Sequence, residues 1–309
     1  MLIKDDNDIL NEWIAYHYHT LGLRYMIVAV DATSSTSPSV ILNKWRSFGM
    51  TIEEWRDEMF MPEFFFQKAY HLMPRLAKIK RNKNKWLDEI KDPEVAVNYV
   101  HSIIDHRFRQ ITFLTECAKA LRRQNRTWMI HIDTDEYIVL NPVLRQRGRL
   151  DEHITIPSTA GPDSILTVLN QMVEPYWEHM NYPCISMPRL LFGSIVDANE
   201  TQKRIHPAFD IAKFETLRWK YHAEFHDANL NKQPKVIMDV SAIPEDDKML
   251  TEGHSFSIHR PSQVLCRNQG QMDFHAVEYF PFTVNHYLGT YERFNARDDP
   301  RRNRKVSCH

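Results

Sequence analysis

The sequence predicts an α/β protein built on a mostly parallel, twisted sheet flanked by helices. Three observations carry that expectation. Apolar runs without alternation, Tyr25-Met26-Ile27-Val28-Ala29-Val30 and Trp128-Met129-Ile130-His131-Ile132, have the composition of strands covered on both faces. Amphipathic stretches alternate with such runs, giving the order strand, helix, strand, helix, strand that parallel crossovers require. Acidic residues stand directly after the strands, where ligands of open α/β sheets gather.

Taken in order, Met1-Leu2-Ile3 reads as the tail of a buried strand that runs into Lys4-Asp5-Asp6. Ile9, Leu10, Trp13, Ile14, His17 and Leu21 then recur at helical spacing, with Asp8 suited to the N-cap and Gly22 to the C′ position. The next strand ends on Asp31, and 33–37 is a loop. Ser37-Pro38 suits the start of a helix that ends at Gly49, and 50–55 is the third strand. Residues 60–100, with Phe64-Phe65-Phe66 and a Lys/Asn-rich stretch, read as an insertion. Phe108, Ile111, Thr115, Ala118 and Leu121 restore a helical period, and the Trp128 strand follows, closed by Asp133-Thr134-Asp135-Glu136. The second half shows less pattern: a short helix after Gly161-Pro162-Asp163, a strand at Cys184–Met187, a loop at 189–194, and strands at 235–240 and 256–259. No repeat of fixed period is visible, which argues against solenoids and propellers.

Composition bounds the function classes. With 309 residues, 43% hydrophobic and 26% charged, the chain is ordinary globular protein. Its 39 Lys+Arg against 40 Asp+Glu give no global basic field, so no nucleic-acid partner is expected, and the basic runs at 78–91 and 297–305 read as solvated surface and tail. No apolar run is long enough to span a bilayer, no membrane contact is expected from this stretch, and the charges from Lys4 onward do not suit a signal peptide. Cys117, Cys184, Cys266 and Cys308 are far apart and form no C-x-x-C pair; free thiols and distant disulfides both remain open. Two N-x-[ST] sequons, at Asn125 and Asn199, are no more than chance supplies.

The chemistry gathers at strand ends. Asp133 and Asp135, at spacing two, can both reach one hard divalent cation of the kind that neutralises a diphosphate leaving group. A D-x-D triplet alone is weak; its place after a buried strand is what makes it a signal. Asp31 stands where a carboxylate meets a base or ribose, Lys4 where a lysine meets phosphate, and Asp5, Asp6 and Asp8 suit the positive end of the helix behind them. A nucleotidyl- or phosphotransferase would call for a glycine-rich phosphate loop, and the 8 glycines form none.

These residues carry a family resemblance. Lys4-Asp5-Asp6 with Glu12-Trp13-Ile14-Ala15-Tyr16-His17 resembles the K-N-E…E-W-[IL]-x-[YF]-H opening of glycosyltransferase family 92 and the related family 2-like proteins. W-M-I-H-I-D-T-D-E-Y at 128–137 is similar to the strand and metal motif, and R-L-L-F-G-S at 189–194 to the W-x-x-F-G-S segment. Lys235-Val236-Ile237, His254-Ser255 and Asn285-His286-Tyr287 resemble later elements in the same order, so the likeness runs from residue 2 to about 293. Asp6 stands in place of a glutamate, Arg189 in place of a tryptophan and Ile195 in place of a small residue.

The resemblance implies a GT-A fold, with residues 1–150 as the nucleotide-sugar- and metal-binding half and 151–309 as the acceptor-binding half with a basic tail. It implies Mn²⁺ or Mg²⁺ as the ion, a UDP-sugar donor, galactose by analogy, a glycan or other hydroxyl acceptor, and transfer with inversion. Lys4, Asp6, Asp31 and Asp133 would contact the nucleotide; Asp133, Asp135, His254 and His286 would hold the metal. Inversion needs a general base, for which Asp197 leads and Glu200 and Asp227 are rivals, while His17 and His131 read as structural. The address implied is the Golgi lumen if an upstream anchor or signal belongs to the protein, and the cytoplasm otherwise. The alternative is a GT-A-like carbohydrate-binding or scaffolding protein without turnover, which the presence of both metal aspartates disfavours.

Overall fold

The computed structural model describes residues 1–67, 93–150, 154–172, 183–193, 216, 219, 221–223, 231, 233–251, 257–259, 261–262, 264–266 and 280–289. Within them the chain is a mixed α/β protein with parallel and antiparallel sheets and eight helices.

The first sheet follows the sequence expectation. Strand β1 (Leu2–Ile3), helix α1 (Asn7–Thr20), β2 (Tyr25–Val30), α2 (Ser39–Ser47) and β3 (Thr51–Trp55) alternate, and both neighbours of β2 run parallel to it, Leu2 opposite Ala29 and Tyr25 opposite Thr51. Alternate side chains of β2 enter different cores: Met26 and Val28 join one apolar cluster with Leu10, Ile14 and Leu42, whereas Ile27 and Ala29 join another with Phe108, Phe113 and Ala118. A strand that must satisfy two cores has no polar face, which is why the run shows no alternation. Helix α1 starts earlier than expected, with Asp6 at the N-cap and Asp8 inside the first turn. Gly22 has φ +66°, and a Cβ there would stand 2.9 Å from Asp163 Oδ1, because Asp163 N–H donates to His19 O.

Short helices α3 (Asp57–Phe60) and α4 (Glu63–Phe66) lead out of β3, and the long α5 (Pro93–Arg123) returns to the sheet; the expected basic stretch 78–91 lies outside the described residues. Then come β4 (Trp128–Ile130), β5 (Glu136–Leu140), α6 (Pro142–Arg147), α7 (Ser164–Gln171), β6 (Cys184–Met187), β7 (Arg189–Gly193), β8 (Tyr221–His222), β9 (Lys235–Asp239), α8 (Lys248–Thr251) and β10 (Phe282–Tyr287).

Here the mostly parallel expectation needs correction. Strands β4, β9 and β6 form an antiparallel sheet in that order, and β5, β10, β7 and β8 form a mixed one in which only β10 and β7 are parallel. Parallel neighbours need a crossover of a dozen or so residues, and the short turn from β4 to β5 does not provide one, so β5 leaves for another sheet. The segment 189–193, expected as a loop, is β7; 257–259, expected in a strand, is irregular. Pairing of β5 with β10 and of β4 with β9 places strands from either side of residue 150 in common sheets.

Cys184 of β6 is disulfide-bonded to Cys266 across 82 residues, both buried, while Cys117 is a buried free thiol and Cys308 lies outside the described residues. The Met1 ammonium donates to Ile27 O at 2.7 Å, and burial pushes it down to about 6. A cavity of about 380 Å³, lined by Tyr25, Ile27, Cys117, Trp128 and Ile130 among others, opens beside it. No described helix is long and apolar enough to cross a membrane.

Candidate functional site

The acidic turn after β4 is closed on itself. Asp133 N–H donates to Glu136 Oε2 at 2.9 Å and Glu136 N–H to Asp133 O at 3.1 Å. Strand β10 docks the far end, with Tyr287 N–H donating to Asp135 O at 2.8 Å and His286 opposite Glu136 in register. Helix α1 braces the other edge of β5: Trp13 Nε1–H donates to Glu136 O at 2.8 Å and Tyr16 O–H to Ile138 O at 2.7 Å. His17 donates from Nδ1 to Trp13 O and accepts Ile138 N–H at Nε2, so both ring nitrogens are used by a neutral ring, and burial pushes its pKa down to about 4. The Trp13–His17 stretch is thus the clamp on β5 and the turn that leads into it.

Charges from three strands converge on this turn. Lys235, at the start of β9 and 1% exposed, puts Nζ 3.1 Å from Asp133 Oδ2 and 2.9 Å from Glu136 Oε2, and Glu136 is fully buried. Burial would lower the lysine, but the Asp133 and Glu136 carboxylates outweigh it and its pKa rises. Burial would raise Asp133, yet Lys235 holds its carboxyl far below the usual range. Arg189, at the start of β7, places Nη2 3.2 Å from Glu136 Oε1 and 2.6 Å from His286 Nδ1, while its Nε keeps a buried N–H with no hydrogen-bond partner among the described residues. His286 Nε2 lies 3.6 Å from Asp135 Oδ1. His259 donates from Nδ1 to Pro234 O at 3.1 Å, the residue before Lys235; burial, then the Lys235 and Arg189 charges, push it down to about 3. His131 is buried beside the same lysine and is likewise pushed down to about 3, first by burial and then by Lys235. A shallow cleft lined by Ile9, Asp135, Tyr137, Trp219 and Tyr287 opens at the turn.

A second group sits at the ends of β1 and β2. Asp31 accepts from Thr33 N–H and O–H through Oδ1, and Oδ2 is 3.0 Å from Arg109 Nη1, the same guanidinium that grips Asp57. Burial acts to raise Asp31, and Thr33 and Arg109, with Lys4 further off, lower it overall. Asp5, at φ +54°, takes five hydrogen bonds from Ser34, Ser35 and Thr36 on Oδ1 and so pins the loop after β2. Desolvation opposes, but those bonds hold its carboxyl down at about 2. Lys4 N–H donates to Asp6 Oδ2 at 3.4 Å.

The structure therefore brings Asp133, Asp135 and His286 together at one place and Lys4, Asp6 and Asp31 at another. Asp197, Glu200, Asp227 and His254 lie outside the described residues. Sequence reasoning left Glu136, Arg189, Lys235, His259 and Arg109 out of the site. Lys235 opens an apolar strand and Arg109 lies within a helical period, so neither stands out without its distant partners.

Toward a divalent cation, the turn supplies two hard carboxylates at spacing two, with 44% of the Asp133 side chain exposed, which suits such an ion. Among the described residues no cluster of three or more His, Cys, Asp or Glu is disposed to hold one. Comparisons with family models, with curated proteins and with solved structures return no match.

Proposed function

We propose that the chain is a metal-dependent glycosyltransferase of the GT-A type that transfers a sugar, with inversion, from a UDP-sugar to a glycan or other hydroxyl acceptor. The observation that supports it best is the turn after β4, where Asp133 and Asp135 stand beside two buried cations, Lys235 and Arg189. A divalent ion on those carboxylates would neutralise charge on a diphosphate leaving group. The Arg189 Nε–H, without a hydrogen-bond partner among the described residues, suits a phosphate oxygen. Lys4, Asp6 and Asp31 are assigned to the nucleotide, galactose is the donor sugar by family analogy, and Asp197 is the proposed base. A Golgi lumen would suit the Cys184–Cys266 bond, since disulfides persist in oxidising compartments. One observation favours the non-catalytic alternative: Lys235 already occupies Asp133.

Nucleotide release from UDP-, GDP- and CMP-sugars with and without Mn²⁺ separates the two. Expected is Mn²⁺-dependent release of UDP that vanishes in Asp135→Ala, with UDP binding weakened only when metal is present. Wild-type turnover of Asp135→Ala in saturating Mn²⁺, or no release from any donor, overturns the proposal.

A further inference from the structure

Among the described strands β1 is the outer strand of its sheet, and β4 the outer strand of the sheet it shares with β9 and β6. The cavity of about 380 Å³ is lined by 25–27 of β2 and by 128–132, which contains β4. Side chains alternate between the faces of a strand, so a wall made of a strand face shows every second residue. Consecutive residues mean that both strands turn their edges to the space, and edges carry peptide N–H and C=O groups. The β1 ladder stops at this point. Met1 N–H donates to Ile27 O at 2.7 Å and Met1 O accepts Ala29 N–H at 2.9 Å, so parallel pairing runs unbroken as far as Met1. Three further positions on that line would face Ile27, Met26 and Tyr25, and no described strand fills them. The walls above and below are apolar. Trp13 and Leu169 line the space from the core that Met26 enters, and Phe113 and Cys117 from the core that Ile27 enters. The histidines in the lining, His17 and His131, are held neutral by burial.

We propose that this cavity is a slot for one extended apolar peptide segment, three or more residues long, that runs in line with β1 and joins β2 to β4 in a single sheet. A free apolar molecule would fill the volume but leave two strand edges unpaired, and buried peptide groups without partners are costly. A strand satisfies both edges at once. Its side chains, alternating between the two cores, meet apolar walls on either side, as in a parallel strand covered on both faces. At about 3.3 Å per residue, three positions extend the ladder by about 10 Å, the length of 25–27 on β2. The Met1 amine fits the same reading. Burial pushes that ammonium down to about 6, whereas a peptide N–H in its place keeps the bond to Ile27 O and carries no charge to desolvate.

Two extended forms of the full chain test the proposal. One carries three valine or isoleucine residues directly ahead of Met1, the other three glycine or serine residues, each behind the same polar leader. The apolar form should melt about 3 °C or more above the glycine/serine form. Its amide hydrogen exchange at Ile27 and within 128–132 should slow by about tenfold or more, because both edges gain a partner. Xenon, which enters dry apolar cavities, should bind the chain without an extension and lose that site in the apolar form, read by ¹²⁹Xe NMR. Equal melting temperatures for the two forms, unchanged exchange at Ile27, or xenon binding that survives the apolar extension each overturns the proposal. None of these readouts involves a nucleotide or a metal ion, so the outcome is independent of the transferase reading.

Discussion

A lysine with 1% of its side chain in contact with solvent has given up almost all its hydration, and Lys235 recovers that cost from Asp133 and Glu136. Replacing Lys235 by Met would leave a fully buried glutamate facing Arg189 alone and an aspartate with no partner of opposite charge at 3.1 Å. Breaking such a buried pair typically costs about 3–5 kcal/mol, so urea denaturation of Lys235→Met should show a loss of that order. A loss under about 1 kcal/mol, the size of a surface pair, would mean that water reaches the lysine. At this scale the acids were legible and their partners were not. Asp133 and Asp135 announce themselves by following an apolar strand, and Asp31 by ending one. The residues that define their state, Lys235 and Arg109, are 102 and 78 positions away; Lys235 is marked only by the family resemblance of its segment, which does not name Asp133 as its partner, and Arg109 by nothing local.

The brace between α1 and β5 shows what an apolar-periodic helix can do beyond filling a core. Its Trp13, Tyr16 and His17 present polar ring atoms to the backbone of β5, covering the edge that β10 leaves open. Tyr16→Phe removes one such bond and leaves Ile138 O buried without it, so stability should fall by about 1–3 kcal/mol in a denaturant titration. If the variant matches wild type, the edge is held by packing alone. The helix was readable from its 3.6-residue period, whereas β5 and β10 were not read at all. Strand β5 begins inside the acidic turn, and β10 acquires its place only by pairing with residues 136–140, far back in the chain. The segment at 189–193 read as a loop because its own sequence gives no strand pattern; its place beside β10 makes it one.

Across the whole molecule, buried neutral histidines set the response to acid. The folded pKa of His17 is about 4, below the ordinary value of 6.5 that the unfolded chain restores, and His131 is depressed in the same direction. Between those values the unfolded chain binds a proton that the folded chain refuses, so stability present above pH 6.5 is lost as pH falls toward 4. His17 alone accounts for roughly 3 kcal/mol across that window, a large share of the roughly 5–15 kcal/mol that holds a domain folded. Melting temperatures taken from pH 7.5 to 4.5 should drop steadily from about pH 6.5; a flat profile down to pH 5 would show that His17 titrates normally. The α/β class was visible in the alternation of helix and strand over residues 1–55. The departure from a mostly parallel sheet was not, because strand direction in the second half follows from crossovers that local sequence does not encode.

The bond between Cys184 and Cys266 encloses β7, β8, β9 and α8 in a covalent ring. A peptide bond cut anywhere inside that ring opens it without releasing either piece, because the two flanks stay joined through sulfur. Lys235, Arg189 and His259 all lie on the enclosed stretch, so a nicked chain keeps every one of them tethered to Asp133 for as long as the disulfide is oxidised. Loss of the site through a cut inside the ring then takes two events, the cut and a reduction, where an open chain would need one.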